Sequence, residues 1–295
     1  MNAVKKVLGL LGSEISYTLS PLMHNTAAES LGLNYSYNVF EVHAPDDLSA
    51  AIEGIRALNI AGVNVTIPYK ERAVKFLDSL SAEASEVQAV NTILNQEGTL
   101  IGYNTDIFGF AEPLKAFKSE LEKENVAVLG CGGAARAAIQ ALKIEFKPST
   151  LIIVARNESK ADALKEEFKR RTKSLKFKTL NIADAETIEK LRDCKLIINA
   201  TPVGSAKSSA GKEELFPAEK LWTKHHIAYD LVYNPLQTPF LKGAQAAGAK
   251  TLSGLEMLLF QGAKSFELWT GKPMPIDLVR QTLLQALDAD TKKND

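Results

Sequence analysis

The chain has 295 residues, 45% of them apolar and 24% charged, and its 35 basic and 35 acidic residues cancel. That length suits about two ordinary domains, and the composition supplies a packed core and excludes wholesale disorder. Zero net charge excludes the electrostatic footprint of a nucleic-acid binder, and two cysteines, Cys131 and Cys194, make neither a disulfide framework nor a zinc site.

The apolar run at residues 7–11 is too short for a signal-peptide core or a membrane span, and reads as a buried strand. No other stretch approaches a spanning length, so a cytoplasmic protein without a membrane partner is expected. A helix follows from Ser20-Pro21 to about Leu31, with Ser at the cap and Pro in the first turn. Residues 35–42 alternate as a strand, 46–58 as a helix, and 62–67 form a strand that stops at Pro68. Residues 69–80 and 82–88 read as helices, and 90–94 with 99–102 as a hairpin around Glu97-Gly98.

A second series begins at residue 125: strand 125–129, helix 133–143, strand 151–155 and helix 160–171. The cluster Lys169-Arg170-Arg171 reads as the solvated end of that helix. Strands follow at 177–182, 196–200 and 227–232, then helices at 238–247, 255–269 and 276–287, with a polar, frayed end over 288–295. Phe260, Phe266 and Trp269 read as core. The alternation indicates an α/β protein: an N-terminal α/β substrate domain and a Rossmann-type doubly wound nucleotide-binding domain. The terminal helices are expected to return to the first domain, giving residues 1–106 with 238–295, and 107–237. The Ser-, Lys- and Gly-rich loop 204–212 is the expected mobile segment.

The sharpest local signal is Gly130-Cys131-Gly132-Gly133-Ala134-Ala135, a G-x-G-x-x-A turn between an apolar strand and a helix. Gly130 permits the tight turn, Gly132 lets backbone approach a pyrophosphate, and Ala135 packs helix on strand. Cys131, Gly133 and Ala134 complete a helix N-terminus whose free N–H groups suit phosphates. At the end of the next strand stands Arg156 where NAD-preferring sites carry an acid. A guanidinium grips a 2′-phosphate by paired hydrogen bonds, and Asn157 and Lys160 follow. The cofactor expected is therefore NADP(H). Asn157-Glu158-Ser159 also suits a helix cap.

Asn64-Val65-Thr66-Ile67-Pro68-Tyr69-Lys70 places an amide, a hydroxyl and an amine at one strand end, Asn64 and Thr66 on the same side. Lys70 is expected to open the next helix. Open α/β sheets bind ligands beyond the carboxyl ends of their strands. Asn91-Thr92 and Asn104-Thr105-Asp106 repeat the pattern of polar groups after apolar runs.

Eight blocks, in order, resemble the shikimate/quinate dehydrogenase family. They are Ser20-Pro21-Leu22-Met23-His24-Asn25, Asn64 to Lys70, Ala89-Val90-Asn91-Thr92, Gly102 to Asp106, Gly130 to Ala137, Asn199 to Gly204, Asp230 to Pro235, and Gly254 to Gly271. The resemblance implies reversible NADPH-dependent reduction of 3-dehydroshikimate to shikimate. It implies Lys70 and Asp106 as the catalytic pair: hydride arriving at a ketone builds charge on oxygen, which needs a cation and a proton donor. It implies Thr18 and Ser20 for the substrate carboxylate, and Asn64, Thr66, Asn91, Tyr233 and Gln261 lining the site. Thr201, Leu231, Gly254 and Met257 resemble nicotinamide-side contacts, and no metal is implied. His24 reads as a structural hydrogen-bonding residue, and His43, His225 and His226 as structural or solvated. The partners implied are small molecules alone, for a monomer or a homodimer.

Two departures stand out. Thr18 replaces the Ser usual in shikimate-specific members, and Ala155-Arg156-Asn157 replaces the family's Asn-Arg-Thr, which implies weaker NADP(H) binding. Residues 205–221 depart most from the pattern. Competing readings are a quinate dehydrogenase with broader cofactor use, a sensing module that kept the fold but lost catalysis, and a tetrahydrofolate-linked dehydrogenase of similar architecture. The intact Lys70 and Asp106 argue against the second, and the third lacks the eight blocks.

Overall fold

In the computed structural model the chain divides into two compact units, Met1–Gly109 with Leu259–Asp295, and Phe110–Leu258. The structure describes residues 4–13, 15, 18–170, 172, 175–206, 211 and 213–294. Arg171 and residues 207–210 and 212 of the expected mobile loop lie outside the described residues.

The first stretch runs β1 (Lys6–Gly12), α1 (Ser20–Ser30), β2 (Tyr35–Glu41), α2 (Leu48–Ala57), β3 (Gly62–Val65), β4 (Ser79–Leu80), α3 (Ala82–Val87), β5 (Thr92–Gln96), β6 (Thr99–Tyr103) and α4 (Asp106–Leu114). One six-stranded sheet has the order β2-β1-β3-β5-β6-β4. β2, β1 and β3 are parallel, while β5 runs antiparallel to β3 and β6. Glu97 (φ 54°) and Gly98 (φ 90°) close the β5–β6 hairpin in the left-handed region that a two-residue turn requires. One core face gathers Leu11, Ile52, Ile55, Val63, Val65 and Tyr69.

Two expectations change here. Ser20 is the first helical residue and Leu19 the N-cap, without a side-chain cap bond. Residues 69–80 are not one helix: a short 3-10 turn, Ala73–Phe76, and then β4 occupy the span. The reason lies in the hydrogen bonds. The Lys70 carbonyl accepts from Val90 N (2.9 Å) instead of closing a helical turn, and Asp78 is held by Leu100 N (2.6 Å).

The second stretch runs α5 (Lys118–Leu121), β7 (Asn125–Leu129), α6 (Gly133–Ala141), β8 (Thr150–Ala155), α7 (Glu158–Arg170), β9 (Lys176–Asn181), α8 (Ala185–Arg192), β10 (Leu196–Asn199), α9 (Ala218–Leu221), β11 (Ile227–Asp230), α10 (Pro239–Ala246) and β12 (Lys250–Ser253). The chain ends with α11 (Gly254–Thr270) and α12 (Ile276–Asn294). The second sheet is wholly parallel, in the order β12-β11-β10-β7-β8-β9. Counted from β7 this is the 3-2-1-4-5-6 order of a dinucleotide-binding sheet. Val126, Val128, Leu151, Ile153 and Ile198 are all fully buried, as parallel strands covered on both faces must be.

The domain boundary expected at 237/238 moves. α10 is the crossover between β11 and β12, so residues 238–253 complete the second sheet. The unit divisions fall inside α4 and α11. Within the segment 205–221, Phe216 and Leu221 enter the core beside Trp222 and Phe240. α12 is helical to Asn294 rather than frayed from residue 288.

Candidate active site

The first unit collects polar residues at the ends of β1, β3, β5 and β6. Lys70 lies in the turn after β3, and its Nζ is 2.5 Å from Asp106 Oδ2. The Lys70 side chain is 22% exposed and that of Asp106 8%, so the lysine is partly open to solvent while the carboxylate is buried. Asp106 stands at the start of α4, and its Oδ1 accepts from Asn91 Nδ2 (2.9 Å). Asn91 also donates toward Gln261 Oε1 (3.3 Å) and accepts from Thr105 N (2.7 Å). Asn91 thus aims Asp106 from inside the protein.

Asn64, on β3, is equally committed. Its Oδ1 accepts from Tyr37 Oη (2.7 Å), and its Nδ2 donates to Asn91 O, Thr92 Oγ1 and Ser265 Oγ at 3.0–3.1 Å. Thr18 and Ser20 meet at the start of α1, with the Thr18 hydroxyl donating to Ser20 Oγ (3.0 Å). The half-buried Thr66 follows β3, and its methyl crowds Gly12, where a Cβ would lie 2.4 Å away. Eight expected residues therefore fall in one unit. Tyr233, half-buried after β11, belongs to the other.

Ser265 was not foreseen. Its buried hydroxyl lies 2.7 Å from Thr92 Oγ1 and 3.0 Å from Thr105 Oγ1, besides its bond to Asn64. The signal available is spacing: on α11, Ser265 is four residues beyond Gln261, hence on the same face.

His24 differs from its expected role. It stacks on Tyr37 (4.3 Å between centroids), and neither ring nitrogen makes a hydrogen bond among the described residues. Burial pushes its imidazole down to about 3, so it is neutral. His226 is the hydrogen-bonded one: Nδ1 accepts from Thr223 N (3.0 Å), which leaves Nε2 to donate to Arg192 O (3.2 Å). Phe266 and Trp269 are buried, as core residues are.

The second unit carries the residues expected to hold the cofactor. Gly130 has φ +109°, and a Cβ there would lie 3.0 Å from Ala200 O, so this turn requires glycine. Beyond it, Gly132 and Gly133 face open space at the N-terminus of α6, with the half-buried Cys131 and Ala134 beside them. Such a helix N-terminus could hold a pyrophosphate. Arg156 is exposed just past β8 and forms no ion pair among the described residues. Asn157 caps α7, its Oδ1 accepting from Lys160 N (2.9 Å), which leaves its Nδ2 for a ligand. Glu158 accepts from Asn181 (2.9 Å). Thr201 and Leu231 follow β10 and β11, while Gly254 and Met257 begin α11. A Cβ on Gly254 would lie 2.3 Å from Leu231 O, so the glycine is a close-approach residue, not only a helix start. The residues fit a dinucleotide carrying a 2′-phosphate.

Among the described residues no helix is long and apolar enough to cross a membrane. Residues 10–93 match the shikimate dehydrogenase substrate binding domain, residues 254–284 the shikimate 5′-dehydrogenase C-terminal domain, and residues 126–210 a saccharopine dehydrogenase NADP binding domain. The chain is 47% identical over 288 residues to a shikimate dehydrogenase (NADP(+)) of Chlorobium phaeobacteroides, covering 96% of this chain and 97% of that one. A crystal structure of a shikimate dehydrogenase in complex with NADP+ superposes with a TM-score of 0.88 at 37% identity, over 97% of each chain. A quinate dehydrogenase from Corynebacterium glutamicum in complex with NAD superposes with a TM-score of 0.86 at 28% identity, over 95% of this chain and 99% of that one. With near-complete coverage on both sides, the chain belongs to the shikimate dehydrogenase family.

Proposed function

We propose that this protein interconverts 3-dehydroshikimate and shikimate with NADP(H), and that Lys70 and Asp106 form the catalytic pair. The observation that carries the assignment is the 2.5 Å contact between Lys70 and a carboxylate that Asn91 fixes from behind. Bound at the Gly130 turn, NADP(H) supplies or takes up the hydride. Lys70 answers the charge that develops on the substrate oxygen: its ammonium gives that oxygen a proton during reduction and takes one during oxidation. Asp106 keeps the amine in place and balances its charge. The hydroxyls of Thr18 and Ser20 take the substrate carboxylate, and Asn64, Thr66, Asn91, Gln261 and Tyr233 line the ring. Arg156, Asn157 and Lys160 receive the 2′-phosphate, while Thr201, Leu231, Gly254 and Met257 receive the nicotinamide end. A cytoplasmic setting suits Cys131 and Cys194, both free thiols.

The test is a matrix of initial rates, shikimate or quinate with NADP⁺ or NAD⁺, followed by nicotinamide absorbance. The shikimate–NADP⁺ pair is expected to dominate. A second reading, quinate oxidation, is favoured by the extra methyl of Thr18 beside Ser20 and by the quinate dehydrogenase likeness; a dominant quinate rate would replace the first.

Ser265→Ala tests the buried network. Four polar partners, Asn64, Thr92, Thr105 and the Gln261 carbonyl, lose a hydroxyl, so unfolding free energy falls by about 1–2 kcal/mol. KM for shikimate is expected to rise about fivefold, the equivalent of about 1 kcal/mol, with kcat nearly unchanged. An unaltered KM removes Ser265 from the site.

A further inference from the structure

The second sheet has two halves. β7, β8 and β9 carry the pyrophosphate turn and Arg156, so the other nucleotide of a dinucleotide faces the carboxyl ends of β10, β11 and β12. The strand register sets Asn199, Asp230 and Ser253, the last residues of those strands, side by side. Asp230 is fully buried and has no place in the hydride or proton chemistry. Its Oδ1 accepts from Asn199 Nδ2 (2.9 Å) and Val232 N (3.0 Å), and its Oδ2 accepts from Thr238 Oγ1 (2.5 Å).

Each of those partners reaches a loop at this end of the sheet. Asn199 Oδ1 accepts from both Thr201 N (3.0 Å) and Thr201 Oγ1 (2.6 Å), and Asn199 Nδ2 also donates to Val203 O (3.1 Å). Val232 O accepts from Gly254 N (3.3 Å), at the residue whose missing Cβ admits Leu231 O. Thr238 caps α10 and packs on Gly204, where a Cβ would lie 3.3 Å from Thr238 Cβ. One carboxylate therefore ties together the loops after β10 and β11 and, through Val232, the start of α11. Burial pushes its carboxyl up to about 6, opposed by the three donated hydrogen bonds.

We infer that Asp230 is a positioning residue for the nicotinamide end of the cofactor, holding the loops after β10 and β11 and the start of α11 in one arrangement. The inference rests on the proposed cofactor orientation. Its test is calorimetric binding of NADP⁺ and of 2′,5′-ADP, which carries only the adenosine half, to the full chain. Asp230→Ala is expected to weaken NADP⁺ at least about tenfold, since misplaced contact groups are costly, and to leave 2′,5′-ADP within about twofold. Asp230→Asn keeps the Oδ1 acceptor and restores NADP⁺ binding to within about threefold of wild type. Thr238→Val, which removes the Oδ2 donor, repeats the selective loss at about three- to tenfold if Asp230→Ala does not fold.

Parallel weakening of both ligands, as from general destabilisation, overturns the inference, and so does an unchanged ratio. Arg156→Ala separates the two readings. If it weakens 2′,5′-ADP while Asp230→Ala leaves the ratio unchanged, only the inference falls. If it leaves 2′,5′-ADP untouched, the cofactor orientation falls and the inference with it.

Discussion

Lys70→Ala is expected to lower kcat by about a thousandfold, the product of a lost proton donor and a lost cation at the developing oxyanion. That is about 4 kcal/mol of transition-state stabilisation at about 1.4 kcal/mol per tenfold. Lys70 belongs to the first unit and the Gly130 turn to the second, so the Kd for NADP⁺ should stay within about twofold. The substitution leaves Asp106, 8% exposed, without its cation but still bonded to Asn91. Some stability is therefore lost, and melting curves must accompany the kinetics. Asp106→Asn separates the roles: it keeps an oxygen for Asn91 and removes the charge facing Lys70, so kcat falls by a smaller factor of about a hundredfold. Steady-state rates with tight-binding controls decide the matter. A Lys70→Ala enzyme that keeps most of its turnover would sink the assignment of Lys70 to the chemistry.

How far the sequence reached depends on what each residue's signal was made of. β7 and β8 were legible because buried parallel strands need continuous apolar residues, and Val126 to Leu129 and Leu151 to Ala155 supply them. β12 was not: Lys250-Thr251-Leu252-Ser253 is a four-residue edge strand with one strongly apolar side chain, which no periodicity separates from a loop. That one strand moved the domain boundary by about twenty residues, because α10 became a crossover inside the second sheet. Residues 69–80 look helical in composition, and the long-range bonds from Val90 N to Lys70 O and from Leu100 N to Asp78 explain why they are not one helix.

The site divides along the same line. Lys70, Asp106, Asn64 and Asn91 stood out because polar groups at strand ends are unusual and because the blocks around them have a family resemblance. Ser265 sits in an apolar helix, where one serine carries no signal of its own. Asp230 lay inside a matching block, but its three bonds come from Asn199, Val232 and Thr238, two of them brought near only by strand register and the α10 cap.

Arg156→Ala is expected to raise the NADP⁺ KM by about ten- to a hundredfold while moving the NAD⁺ KM by less than about twofold, because a charge-assisted bidentate contact to the 2′-phosphate is worth about 1.5–3 kcal/mol. The neighbouring residues expected to share the 2′-phosphate offer less. Ala155 offers no side-chain donor, and Asn157 spends its oxygen on Lys160 N as the cap of α7. Glu158 brings a negative charge to the same turn, answered by Asn181. Arg156 is therefore expected to supply most of the discrimination, with Lys160 as a second charge. Its exposure makes the contact sensitive to salt, so the NADP⁺ KM of the wild type should climb with ionic strength more steeply than that of the variant. Paired KM measurements for both cofactors at low and high salt test this. An unchanged NADP⁺-to-NAD⁺ ratio in Arg156→Ala would move the 2′-phosphate away from the end of β8, and the cofactor preference would have to be sought in other residues of the second unit.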